Sequence, residues 1–287
     1  MATALVTGST GNVGSAVVRE LLDGGVSVRA FVRDPARAAE RLGADPELAV
    51  GDLSDPASVR RAMEGVELVF LASGDGPQKV DHEVAVIDAA AEAGVRRLVK
   101  ASTAMAEAGS PLLPFDWNGR IEDHLRGSGV PAVVLQSSFY MTNLLMSAEQ
   151  VRDQGMLFAP AGGGKVGMID TRDVAAVAAK VLTGDGYDGK TYALTGPEAI
   201  TFEQVAEELS AALGRPVAFV DVPEDGARQG LVAAGLPDWL VDHLFQLFRL
   251  IRQGALGEVT NTVRELTGRE PRSLADFVRE RAALFGP

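Results

Sequence analysis

The sequence predicts an α/β fold, a doubly wound parallel sheet with a small α+β part toward the C-terminal end. Three observations predict it. Short apolar, β-branched runs alternate with segments of helical period through the first half of the chain. The first run opens directly into three glycines at spacing three, VTGSTGNVG at residues 6–14. Beyond about residue 150 the alternation loosens and helical segments dominate. Strand–helix–strand repetition requires crossover connections, and these make a sheet parallel.

In chain order, Ala4 to Thr7, Val26 to Val32, Glu47 to Val50, Leu68 to Ala72, Leu98 to Ala101 and Ala132 to Leu135 read as strands. Helical patterns such as Ser15 to Leu22 and Val80 to Ala93 separate them. Turn signals fall between, at Asp23-Gly24-Gly25, Asp34-Pro35, Asp55-Pro56, Gly94 and Gly127-Ser128-Gly129. Asp170 to Leu182 reads as a helix, Lys190 to Leu194 as a strand, and Phe202 to Leu213 as a helix capped by Thr201. Pro237 to Gln253 predicts a helix with a wide apolar face, which suits core, lid or a homodimer surface, core being the default. Ser273 to Phe285 predicts a final helix.

The glycine stretch fits a dinucleotide site. Gly8 allows the sharp turn, Gly11 lets the backbone approach a pyrophosphate, and Gly14 lets helix and strand pack closely. Ser9, Thr10, Asn12 and Val13 complete the turn, and the helix that follows aims its amides and dipole at the phosphates. The expected organisation is therefore a Rossmann-type NAD(P)-binding domain over 1–150 and a smaller C-terminal part over 151–287, interleaved with it. The second strand ends in Arg33, not in an acid, and Arg37 follows one helical turn later. A guanidinium there complements a 2′-phosphate, which favours NADP(H); for Arg37 a solvated surface role is as well supported. Asp34 before Pro35 is read as a helix cap. Asp52, beside Leu53 after the third strand, either receives the adenine amino group or turns the loop. Ala72 and Ser73, ending the fourth strand, are expected beside the nicotinamide ribose.

Composition excludes several classes. A net charge of −12 repels polyphosphates, so nucleic acid is not an expected partner. The absence of cysteine excludes disulfides, thiolate metal sites and a cysteine nucleophile, and suits a reducing cytoplasm. Neither a leader-like N-terminus nor a bilayer-length apolar run is present, so a cytoplasmic protein with no membrane partner is expected. His82, His124 and His243 lack metal-ligand spacing, and Gly162-Gly163-Gly164-Lys165 runs into Val166 where a P-loop needs Ser or Thr.

With VTGSTGNVG, VRDPAR, GDLSDPASVRRAMEGVELVFLAS, IEDHLRGSGVPAVVLQSSFYMTNLL, MIDTRDVAAVAAKVLTG and LTGREPRSLADFV in order, the chain resembles the NmrA-like group of atypical short-chain dehydrogenases/reductases. The resemblance implies a Rossmann core, NAD(P)H, and a C-terminal part closing over the nicotinamide end. It spans quinone, azo-dye and triphenylmethane reductases, tailoring reductases, and NADP sensors without turnover. The usual Tyr-x-x-x-Lys of short-chain reductases occurs nowhere. Asn118 stands where some members keep lysine or histidine, four residues before Glu122, and Gln136 stands where arginine is common.

Ser102 occupies the usual serine position and is expected to donate to a developing oxyanion, with Asn118 bonding ribose or substrate. Thr103, Asp116, Trp117, Phe139, Tyr140 and Met141 are the expected substrate-side residues. Asp116 is read as a hydrated loop aspartate, an acid only if burial raises its pKa. Trp117 either stacks on substrate or packs, and residues 139–141 form an apolar wall or ordinary core. The expected function is hydride transfer from NADPH to a flat, conjugated acceptor such as a quinone, enone or imine, whose product anion water protonates. The alternatives are a non-catalytic NADP(H) sensor acting on a protein partner, and a redox-neutral dehydratase or cyclase.

Overall fold

A computed structural model describes residues 2–286 apart from 225–227, 229, 230, 233 and 234. The chain divides into two compact units. The first takes Met1–Ser137, Thr171–Leu194 and Glu265–Gly268; the second takes Ser138–Asp170, Thr195–Arg264 and Arg269–Pro287. The strands are β1 (Thr3–Val6), β2 (Ser27–Val32), β3 (Glu47–Val50), β4 (Leu68–Leu71), β5 (Arg97–Thr103), β6 (Ala132–Ser137), β7 (Met156–Ala159), β8 (Thr191–Leu194) and β9 (Ala218–Asp221). Among the described residues the first unit carries a seven-stranded sheet in the order β3-β2-β1-β4-β5-β6-β8, with every pair parallel. The order reverses at β1, and the crevice beside the carboxyl ends of β1 and β4 is the ligand position in open sheets of this kind.

The helices of this unit are α1 (Asn12–Asp23), α2 (Pro35–Leu42), α3 (Pro56–Met63), α4 (Lys79–Ala93), α5 (Leu113–Gly127) and, after α6 (Ala148–Gln154) of the second unit, α7 (Thr171–Thr183). α1 and α7 pack together on one face of the sheet; α3, α4 and α5 follow one another on the other. Leu5, Val69, Leu71, Leu98 and Val134 meet Val59, Met63, Val86, Ile87, Ile121 and Leu125 there in one buried cluster. Because side chains alternate along a strand, Leu98, Lys100 and Ser102 of β5 share that helix-covered face, as do Val134 and Gln136 of β6.

Local chemistry sets the boundaries. Asp34 Oδ1 accepts from the amides of Ala36 and Arg37 at 3.0 and 3.1 Å, with Pro35 at the first helical position, so Asp34 is the α2 cap. Asp55 and Pro56 repeat the device at α3. α1 begins at Asn12, three residues before its apolar periodicity, because Gly11 is already extended and the turn feeds the helix directly. β5 runs on to Thr103 and takes Ser102 into the sheet. Residues 115–118 form the first turns of α5, so Asp116 is a helical residue and not a hydrated loop aspartate. The edge strand is tied down by Arg97, whose guanidinium meets Asp188 at 2.5 and 3.0 Å and the carbonyls of Val181 and Gly184.

The second unit has a two-stranded parallel sheet of β7 and β9, which short runs without clear alternation did not announce. α8 (Phe202–Leu213) packs on both strands and starts with a capping box between Thr201 and Gln204. Phe202 is its aromatic centre, with the rings of Phe139, Phe219 and Phe248 at 6.2, 6.1 and 5.7 Å. α9 (Asp238–Arg252) buries Val241, Phe245 and Ile251, so its apolar face is partly core. α10 (Thr262–Thr267), assigned in part to each unit, precedes a break. The expected single helix over 273–285 is two, α11 (Leu274–Glu280) and α12 (Ala282–Phe285), interrupted where Arg281 leaves helical dihedrals.

Gly119 of α5 lies where a Cβ would stand 2.2 Å from the Ala108 amide nitrogen and 2.3 Å from the Glu107 carbonyl carbon. Gly119→Ala forces backbone to move and is expected to cost about 1–3 kcal/mol, as overpacking does. Urea unfolding followed by circular dichroism measures it.

Candidate cofactor and active site

Gly8 takes a left-handed φ of +59° and turns the chain out of β1. A Cβ on Gly14 would stand 2.2 Å from the Gly8 carbonyl oxygen, so only glycine lets α1 start this close beneath the turn. Gly11 donates its amide back to Gly8 O at 2.9 Å and leaves α1 with no side-chain cap. The first-turn amides of Asn12, Val13 and Gly14 thus have no partner within the helix. Thr10 is half-buried in the turn. Ser9 is committed elsewhere: its buried hydroxyl donates to Phe31 O at 3.0 Å, so its main chain alone faces the turn. Thr7 closes the crevice floor, donating to Ala72 O at 2.7 Å and accepting from Ala72 N at 2.9 Å.

At the end of β2, Arg33 and Arg37 are exposed, and no hydrogen bond or ion pair among the described residues engages either guanidinium. Asp52 is engaged. It accepts from the Ser54 amide at 2.8 Å and the Ser54 hydroxyl at 2.7 Å, and these bonds, with Arg33 adding charge, hold its carboxyl below the usual range. Its oxygen Oδ1 serves the turn, and Leu53 beside it is half-buried. A run of free helix amides flanked by two unengaged guanidinia is a donor set that fits a dinucleotide phosphate backbone with an additional phosphate.

Beneath the carboxyl ends of β4 and β5 lies a buried ionic cluster. Lys100 is fully buried; its Nζ pairs with Glu83 Oε2 at 2.9 Å, donates to Asn118 Oδ1 at 2.9 Å and to the Ala101 carbonyl. Glu83 Oε1 meets Lys79 Nζ at 2.9 Å and accepts from Ser73 Oγ at 2.7 Å. Lys79 also reaches Asp75 Oδ1 and Ser73 O, both at 3.3 Å. Burial alone would push the Glu83 carboxyl up, but Lys100 and Lys79 together hold it below its ordinary value. Burial pushes the Lys100 amine down against the pull of Glu83. Lys79, despite burial, is held up by Glu83 and Asp75.

A second, less charged cluster sits beside it. Ser102 Oγ lies 2.5 Å from Glu122 Oε1, and Gln136 Nε2 donates to both Glu122 oxygens at 3.2 and 3.1 Å. Ser102 and Glu122 are 5 % and 4 % exposed. Asn118 has little left to offer a ligand: its oxygen takes Lys100, and its amide nitrogen donates to Pro114 O at 2.8 Å.

The remaining expected residues scatter. Thr103, half-buried, ends β5 opposite Ser137. Asp116 accepts from the Gly109 amide at 2.7 Å and faces Arg120 at 3.6 Å, bracing the loop before α5. Trp117 is buried within α5. Phe139, Tyr140 and Met141 belong to the second unit: Phe139 sets its edge on Phe202, Tyr140 bridges to Ile169, and buried Met141 opens a 3-10 turn. The sequence reading passed over Lys79, Glu83 and Lys100. A lysine at an inward position of a buried parallel strand, LVKAS, was the available signal. Among the described residues no cluster of His, Cys, Asp and Glu suits a metal, and no helix is long and apolar enough to cross a membrane.

A family model described as NmrA-like matches residues 1–278. The chain is 39 % identical over 282 residues to an NAD(P)H azoreductase of Xenophilus azovorans, covering 98 % of this chain and 99 % of that one. It is 40 % identical over 284 residues to a (4-alkanoyl-5-oxo-2,5-dihydrofuran-3-yl)methyl phosphate reductase of Streptomyces griseus, covering 99 % of both. Among solved structures, the NADPH complex of the Escherichia coli quinone oxidoreductase QOR2 superposes with a TM-score of 0.87 at 32 % identity, covering 97 % of this chain and 99 % of that one.

Lys100→Met leaves Glu83 buried against one lysine. The loss of such a partner is expected to cost about 3–5 kcal/mol. The stability that Glu83 contributes is present above the ordinary carboxyl value of 4.5 and is lost as pH falls through its lower folded-state pKa. Without Lys100 that pKa rises, so the acid-unfolding midpoint moves to higher pH, which a pH titration by circular dichroism reads.

Proposed function

The chain belongs to the NmrA-like family, and from that premise we propose that it is an NADPH-dependent reductase delivering hydride to a flat, conjugated acceptor, a quinone, an enone-type carbonyl or an imine-like C=N or N=N group. It is an NAD(P)H-dependent reductase, as the azoreductase and the quinone oxidoreductase that match it over essentially the full length are named. The cofactor is NADP(H). The carrying observation is the open donor set at the β1 turn, with Arg33 unengaged at the end of β2. Arg33, with Arg37 one turn on, takes the 2′-phosphate; the amides of residues 12–14 take the pyrophosphate; Ala72 and Ser73 flank the nicotinamide ribose.

Bound NADPH supplies the hydride. The chain's own residues position and polarise. Ser73 is held by Glu83, which fixes the loop after β4. Ser102, at the end of β5, faces the substrate oxygen that becomes negative as hydride arrives, and its hydroxyl stabilises that charge. Asn118, tied at both ends, positions Lys100 and the start of α5 and does not itself donate a proton. The oxo-dihydrofuran ring in the name of the Streptomyces relative and the azo group in that of the Xenophilus relative are both π acceptors, which supports the conjugated class proposed here.

NADPH oxidation at 340 nm with a benzoquinone, an azo dye and an α,β-unsaturated lactone tests the reading; turnover with none of the three overturns it. Arg33→Ala is expected to lower the preference for NADPH over NADH in kcat/KM by about tenfold to a hundredfold, the loss of a charged hydrogen bond worth about 1.5–3 kcal/mol. Parallel kinetics with the two cofactors measure the ratio.

A further inference from the structure

We propose that Glu122 is the proton source of the reduction and acts through Ser102. The inference rests on the reductase reading above and deepens it. A serine hydroxyl that hands its proton to a substrate oxygen must be given another at once, because an alkoxide is far too basic to persist. The group in contact with Ser102 Oγ is Glu122 Oε1, at 2.5 Å, and both side chains are nearly excluded from water. The heavy-atom geometry serves either direction of that hydrogen bond. With Glu122 ionised, Ser102 donates inward; with Glu122 protonated, the carboxyl donates to Ser102 and frees the hydroxyl hydrogen to turn outward.

The neighbours of Glu122 hold its carboxyl in place. Gln136 spans both its oxygens at 3.2 and 3.1 Å and fixes the carboxyl plane, and when Oε1 carries the proton Oε2 still accepts from Gln136. At that place the neutral amide of Gln136 adds hydrogen bonds without adding a further positive charge to those of Arg126 and Lys100. The charged groups around Glu122 are Arg126 on its own helix and Lys100 on β5, itself paired with Glu83 of α4; Ser102 and Gln136, from β5 and β6, are uncharged. Arg126 Nη2, on an exposed side chain, lies 3.9 Å from Glu122 Oε2, so one side chain separates the carboxyl from solvent on that side. Other acids are engaged: Asp116 braces its loop, and Lys100 holds Glu83, Asn118 and Ala101.

The step balances. For a conjugated carbonyl, the hydride forms a C–H bond at the acceptor carbon and the π pair moves to oxygen. That oxygen takes the Ser102 hydroxyl proton, Ser102 takes the Glu122 carboxyl proton, and Glu122 is left as a carboxylate. One proton from solvent restores it for the next turnover. The electrons come from NADPH, the proposed cofactor.

The test compares two acceptors with the same cofactor. A conjugated carbonyl needs hydride and a proton; a cationic triarylmethane dye is neutralised by hydride alone. In Glu122→Gln the ratio of kcat for the carbonyl to kcat for the dye is expected to fall at least tenfold, in line with the usual worth of general acid catalysis, with KM for NADPH retained. The wild-type solvent deuterium isotope effect on the carbonyl is expected to exceed that on the dye. Ser102→Ala should reproduce the fall in the ratio and Ser102→Thr, which keeps a hydroxyl, should restore it; this pair also serves if Glu122→Gln fails to fold. An equal loss on both acceptors, or no loss on either, overturns the proposal and leaves the reductase reading standing. Absence of NADPH oxidation by the wild type with either acceptor overturns both.

Discussion

The ion pair between Glu83 and Lys100, removed from water in the middle of the first unit, is the constraint on which the site depends. Burying two opposite charges costs several kcal/mol per ion, and Coulomb attraction offsets that only with good geometry and further hydrogen bonds. Here the further bonds are present: Glu83 also holds Lys79 and Ser73, and Lys100 also holds Asn118 and Ala101. The cluster thereby joins the loop after β4, helix α4, strand β5 and helix α5. An apolar cluster of equal volume would stabilise these elements but would not fix the direction in which Ser73 and Asn118 point.

Two clusters of different character meet on the helix-covered face of β5 and β6. The one around Glu83 joins a carboxylate to two lysines and reaches Ser73 in the loop after β4. The one around Glu122 has a single carboxyl, a hydroxyl and a neutral amide, with the exposed Arg126 at its edge. Gln136 and Asn118, which stand where the resemblance implies an arginine and, in some members, a lysine or histidine, have a physical counterpart in the structure. A positive charge is still adjacent to Asn118, contributed by Lys100 from the neighbouring strand.

Much of this was legible in the sequence. Parallel pairing, strand order logic and the roles of Gly8 and Gly14 follow from period and spacing, because short-range sterics decide them. Asp34 and Thr201 were legible as caps for the same reason. Extension of β5 to Thr103 was not, since the polar residues KAST break the apolar run while the ladder with β6 continues. Nor was the split at Arg281, or the position of Asp116 and Trp117 inside α5, which begins two residues before Phe115 with a proline in its first turn. The Lys79–Glu83–Lys100 cluster joins residues from two elements, and a pairwise tertiary contact of that kind has no local signature beyond an inward-facing lysine.

The first unit is discontinuous in the chain, and this shapes its assembly. Strands β1 to β6 are complete at Ser137, yet α7 and β8 belong to residues 171–194, and Arg97 waits at the base of β5 for Asp188. During synthesis the sheet therefore has one face that carries α1 but still lacks α7 over β4, β5 and β6, and an unpaired edge at β6, while some fifty further residues emerge. The nascent chain is most exposed to mispairing in that interval, and the closing of the Arg97–Asp188 clasp marks its end.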